Sequence, residues 1–132
     1  MPHQDLCMID RKKGFTPEVG RLVSMMDYAR HTTEEAIRGL TIEQLDFQLD
    51  AQSNSIGMLL YHMSSIERAF QIMTFQEREL NDAEWNELGT GIELGDKARA
   101  VIQGRDLDYY WSELSLVRAK TLDDLREKDD TW

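Results

Sequence analysis

From Thr16 onward the chain alternates apolar and polar positions at intervals of three and four. Val19, Leu22, Val23, Met26, Ala29 and Ile37 fall on one helical stripe, which Thr33 and Leu40 extend. Arg21, Arg30, Glu34, Glu35 and Arg38 take the other faces. Thr16 is a plausible N-cap, and Pro17 sits at the first helical position, where its missing N–H costs nothing. The pattern predicts a long amphipathic helix ending near Gly39. "TIEQL" then has capping-box spacing, Thr41 with Gln44 three residues on, and predicts a short helical turn.

"DAQSNS" interrupts the periodicity, and Ser53 or Ser55 can cap the next helix, which runs to about Phe75. Its inner line reads Met58, Leu59, His62, Ile66, Ala69 and Met73. Between Asn81 and Gly104 the signal weakens. "NDAEWNEL" and "GDKARAVIQG" read as short helical pieces separated by "GTG", the whole being a crossover with "GTGIELG" as a flexible connector. "RDLDYYWSELSLVRAKTLDDLREK" predicts the third long helix, with Leu107, Tyr110, Trp111, Leu114, Val117 and Leu125 inward.

No segment alternates convincingly with period two, so the expected fold class is all-α. Three long helices with an extended connection between the second and third predict a bundle with a long crossover, because short loops favour plain antiparallel neighbours. An internal echo, "RGLTIEQLDFQL" after the first helix and "RAKTLDDLREKD" after the third, gives the two halves one plan. Counted by that plan, the chain stops just before a fourth helix. The expected organisation is a loose N-terminal lead over residues 1–15 and one helical domain over 16–132, incomplete at its C-terminus.

Composition narrows the functional classes. The 132 residues carry a net charge of −10, with acidic residues spread throughout, so a phosphate backbone is repelled and nucleic-acid binding is not expected. "IGMLLY" is too short to span a bilayer and "MPHQDLCMIDRKK" lacks the apolar run of a signal peptide, so the expected setting is cytoplasmic, without membrane association. Cys7, the single cysteine, cannot form an internal disulfide and has no charged cluster nearby to activate it.

His62 is the one candidate site residue. It shares a stripe with Met58, Ile66 and Ala69 and is expected to point inward. One reading is a neutral core histidine, hydrogen-bonded to a backbone carbonyl or to a hydroxyl such as Ser55, Ser65 or a tyrosine. The other is a metal ligand projecting into a helical bundle. His31 falls on the polar side of the first helix and His3 in the lead, and no HxxxH or HExxH occurs. Glu67 lies on a different face from His62, and Asp27 has no partner at ligand spacing. No nucleophile–histidine–acid grouping is visible.

"TPEVGRLVSMMDYAR", "GLTIEQLDFQLDAQSNSIGMLLYHMSSIE" and "GRDLDYYWSELSLVRAKTLDDL" together resemble the DinB-like superfamily, over nearly all of the chain from about Met8. The element that carries most is "NSIGMLLYHMSSIE", where that family has a histidine in its second helix. The resemblance implies a four-helix bundle with a long crossover, a homodimer, and a divalent metal, zinc or nickel, bound by three histidines. The first of these matches His62; the other two normally lie on the fourth helix, past Trp132. It further implies a thiol S-transferase or hydrolase acting on a small-molecule thiol or electrophile. The rival expectation is a non-catalytic helical interaction or dimerisation module, with His62 a core residue.

Overall fold

The computed structural model describes residues 6–132, and His3 lies outside them. Among the described residues there is no strand. The elements are α1 (Pro17–Ile37), α2 (Ile42–Asp46), α3 (Ile56–Phe70) running into a π turn (Gln71–Phe75), α4 (Asp82–Glu93), α5 (Gly95–Val101) and α6 (Leu107–Arg126). They form two compact units. One holds the described residues up to Arg38 together with Leu122–Trp132; the other is Gly39–Thr121.

In the first unit, α1 begins at Pro17 as its sequence requires, but Thr16 does not cap it through its side chain. The cap comes from the far end of the chain: Asp130 Oδ1 accepts from Glu18 N at 2.9 Å and Val19 N at 3.3 Å. A carboxylate there satisfies two otherwise orphaned donors and meets the positive end of the helix dipole. Within the lead, Met8, Asp10 and Lys12 are bonded to α1. Ser24 Oγ accepts from Asp10 N and donates to the Met8 carbonyl, both at 3.2 Å, and Lys12 pairs with Asp27 at 3.0 Å. Val19, Val23 and Ile37 are buried as the periodicity predicts, whereas Leu22 is 46% exposed. Gly39, just past the helix, takes φ 73°, the left-handed conformation that a helix end favours.

In the second unit, α2 carries the predicted capping box: Gln44 N donates to Thr41 Oγ1, and Thr41 N to Gln44 Oε1. Its Leu45 is fully buried. Ser55, rather than Ser53, caps α3 by accepting from Met58 N at 3.0 Å. Ser53 instead closes an Asp50 turn that Arg99 fastens through the Gln52 and Ser53 carbonyls.

The expected crossover differs most from its prediction. "GTG" is no connector; Gly89, Thr90 and Gly91 lie inside α4, and Gly89 and Gly91 are buried. Helix α4 packs on α3, and the pair needs small residues where the two backbones approach. Leu88 joins Ala69 of α3 and Leu80 in a buried cluster covered by Ile72, Met73 and Ile92. The segment read as peripheral is therefore part of the core. The α4–α5 turn is made by Leu94 at φ 57° and Gly95 at φ 78°. Asp106 opens α6 by accepting from Tyr109 N at 2.9 Å, and Tyr110, Leu114 and Val117 are buried as expected.

Among the described residues, no helix is long and apolar enough to cross a membrane.

Candidate functional site

His62 stands at mid-length of α3, partly buried, with Nδ1 2.7 Å from the Gly91 carbonyl oxygen. A carbonyl can only accept, so Nδ1 carries the proton and Nε2 is the lone-pair nitrogen of the neutral ring. One of the two readings of His62 specifies this kind of partner, a backbone carbonyl, while the candidate serine hydroxyls are engaged elsewhere. Ser55 caps α3, and Ser64 and Ser65 both donate to the Tyr61 carbonyl, at 2.9 and 3.0 Å.

The His62 contact exists because α4 comes unusually close. A β-carbon at Gly91 would overlap Ser65 Oγ and lie 2.7 Å from Ser65 Cβ and 2.9 Å from Tyr61 Cδ1. Any side chain there would push α4 away and open the His62 hydrogen bond. A glycine at position 91 is thus what fixes the imidazole tautomer.

Beyond Tyr61 lies Arg105. Its guanidinium carbon sits 5.4 Å from the Tyr61 ring centroid and 4.6 Å from that of Tyr109, and Nη1 donates to Tyr109 Oη at 3.1 Å. The loop before it is fastened by Asp46, whose Oδ2 accepts from Gly104 N at 2.7 Å. Two polar atoms in this region are buried without a partner, Asp46 Oδ1 and Tyr110 Oη. Burial, with Asp46 adding to it, pushes the Tyr110 phenol up to about 12. Gly57 faces that phenol, and a β-carbon there would lie 2.6 Å from the oxygen.

Further along α3, Glu67 is engaged away from His62. Arg118 Nε donates to Glu67 Oε1 at 2.7 Å and Thr121 Oγ1 donates to the same oxygen at 2.8 Å. Gln71, the first residue of the π turn, donates to Thr121 Oγ1 and to the Val117 carbonyl, each at 2.9 Å. This network binds α3 to α6 and occupies the acid closest in sequence to His62.

A family model described as mycothiol S-transferase matches residues 21–132, a span that includes His62, Gly91 and Arg105. The chain belongs to the mycothiol S-transferase family. That family lies within the DinB-like superfamily, to which the "NSIGMLLYHMSSIE" stretch points. No curated protein matches the chain. The family's description names thiol S-transfer as its chemistry.

The divalent metal implied by the DinB-like resemblance can be tested against this donor set. His62 has the arrangement a ligating histidine needs, one nitrogen anchored on a carbonyl and the other a lone pair. A single donor does not hold an ion, and among the described residues no group of three or more His, Cys, Asp or Glu side chains comes together. These residues therefore do not form a metal site by themselves.

His62 is legible as a histidine on an apolar stripe. Gly91 and Arg105 are not, since each matters through a neighbour distant in sequence. The local hint is that Arg105 stands just ahead of Asp106, the cap of α6, with Tyr109 in the first turn that follows.

Proposed function

We propose that this chain is a thiol S-transferase that joins the sulfur of a low-molecular-weight thiol to an electrophilic carbon. Membership of the mycothiol S-transferase family over residues 21–132 carries this reading. In a substitution, the S–C bond forms as the bond from carbon to its leaving group breaks, and the thiol proton must be taken away. His62 suits that proton transfer. With Nδ1–H held by Gly91, the basic Nε2 accepts the proton and leaves a thiolate as the nucleophile. The same nitrogen is equally prepared to serve as a metal ligand, zinc or nickel being the ions the resemblance implies. A cytoplasmic setting, where small thiols are kept reduced, fits the same reading.

A second reading has its own observation. On α3, Ile56, Leu59 and Phe70, at 39%, 45% and 55% exposure, make an uncovered apolar edge. On this reading the chain is a helical dimerisation module, in which a second copy meets that edge and His62 is a satisfied core residue.

The deciding experiment incubates the purified protein with a small thiol and monochlorobimane, with metal content and oligomeric state followed by native mass spectrometry. The transferase reading predicts thioether formation above the uncatalysed rate, lost in His62→Ala while circular dichroism shows the fold intact. Uncatalysed rates for both proteins, with a dimer that Leu59→Glu dissociates, would replace it by the module reading.

A further inference from the structure

In a chain of net charge −10, most of the described arginines, from Arg21 to Arg126, hold a carboxylate. Arg105 does not. It contacts the rings of Tyr61 and Tyr109 and the Tyr109 hydroxyl, which takes only Nη1. A guanidinium packed against two aromatic rings is partly stripped of water, and here no carboxylate is bonded to it. Its remaining donors form an edge that matches a planar carboxylate.

The surroundings hold this edge in place. Arg105 is half-buried, the preceding Gly104 is pinned by Asp46, and the following Asp106 caps α6, so the backbone on both sides is fixed. Tyr61 links it to the candidate site, since that ring packs on Gly91, whose carbonyl orients the adjacent His62. One positive charge in an acidic chain suits a singly charged carboxylate better than a phosphate dianion, which would need further cations.

We infer that Arg105, clamped by Tyr61 and Tyr109, is a recognition site for the carboxylate of a small organic acid. On the transferase reading, on which this assignment of a role rests, that acid is the electrophile: the family's chemistry supplies the thiol, and Arg105 selects an acceptor carrying a carboxylate. Arg105 is a specificity residue and takes no part in the bond changes.

The test compares two probes of one carbon skeleton, cinnamate and cinnamamide, binding to the full chain by isothermal calorimetry without any thiol. Wild type is expected to favour cinnamate by about tenfold or more, the scale of a charge-assisted bidentate contact. Arg105→Gln should erase the preference, and Arg105→Lys, which keeps the charge but loses the fork, should retain part of it. Equal affinities for the two probes in wild type, no binding of either, or an undiminished preference in a folded Arg105→Gln protein would each overturn the assignment. Because no turnover is measured, a cinnamate preference without S-transfer activity would leave the carboxylate site standing and remove only the transferase reading.

Discussion

The imidazole of His62 and the carbonyl of Gly91, 2.7 Å apart, join α3 to α4 at the point where the helices have no room for another atom. The orientation of the candidate catalytic histidine is thereby made dependent on a glycine 29 positions away. Gly91→Ala should destabilise the second unit by about 1 to 3 kcal/mol, the usual cost of overpacking. It should also shift the His62 ring nitrogens, as followed by NMR. Ser65→Ala should not rescue it, because Ser65 Cβ already stands 2.7 Å from the added carbon, while Ser65→Gly should restore part of the loss.

Tyr110 offers an opposite expectation. Its oxygen is buried and unpartnered, so Tyr110→Phe should cost less than about 1 kcal/mol or even stabilise, since a desolvated hydroxyl without a bond is a liability. Gly57→Ala should be strongly destabilising, with the added carbon 2.6 Å from the phenol oxygen and 2.9 Å from Cζ. Combining the two should recover only part of the loss, because the ring carbon remains. The phenol also sets an alkaline limit. Its pKa rises from 10.0 to about 12 on folding, so its contribution is fully present below pH 10.0 and is lost as pH climbs through about 12. Denaturant midpoints across that window should fall more steeply for wild type than for Tyr110→Phe.

The pair of Glu67 and Arg118 is a matter of balance rather than of gain. Both side chains are mostly buried, at 15% and 17% exposure, so removing either takes an ion-pair partner from a charge that is largely out of water. Glu67→Ala or Arg118→Ala should each cost about 2 to 3 kcal/mol, somewhat under the range for a fully buried pair. Replacing both, by Glu67→Leu with Arg118→Met, should cost less than the two single losses added together. Equilibrium unfolding of the four proteins measures that coupling; strict additivity would show that the two charges act independently.

How much of this is readable from sequence depends on whether the signal is local. The starts of α1, α2 and α3 follow from Pro17, the Thr41 and Gln44 pair, and a serine at 53 or 55, of which the structure uses Ser55, each acting within one turn. The capping of α1 by Asp130 is not readable, because the partner is 112 residues away and Thr16 is a suitable cap residue in the expected place. Periodicity puts Leu59 on the inner line, yet Leu60 is buried and Leu59 exposed. On a helix as apolar as α3, spacing shows that a stripe exists without showing where its centre lies. "GTG" misleads for a related reason: glycine marks a flexible turn as often as a tight helix contact, and only α3 decides between them. His62 stands out in the sequence by its place on an apolar stripe, but its carbonyl partner and the Arg105 clamp beside it are properties of packing.

The start of α4 supplies an acid-side test that is independent of the candidate site. Glu84 closes a capping box with Asn81, each side chain accepting from the other's backbone N–H at 2.9 Å, and Arg78 grips the same carboxylate with both terminal nitrogens, at 2.7 and 2.9 Å. The Arg78 guanidinium, helped by the Asn81 N–H, lowers the Glu84 pKa from 4.5 to about 2. A lowered folded-state pKa means that the stabilisation is present above 4.5 and lost as pH falls through about 2. Glu84→Gln keeps an acceptor for the Asn81 N–H but removes the charge that Arg78 holds. It should lower the melting temperature at neutral pH by a small amount and flatten the acid slope between those two pH values. Glu84→Ala removes the acceptor as well, and should lower the neutral-pH melting temperature further with the same flattened slope. An acid slope unchanged in both variants would show that carboxylates elsewhere set the acid sensitivity of the fold.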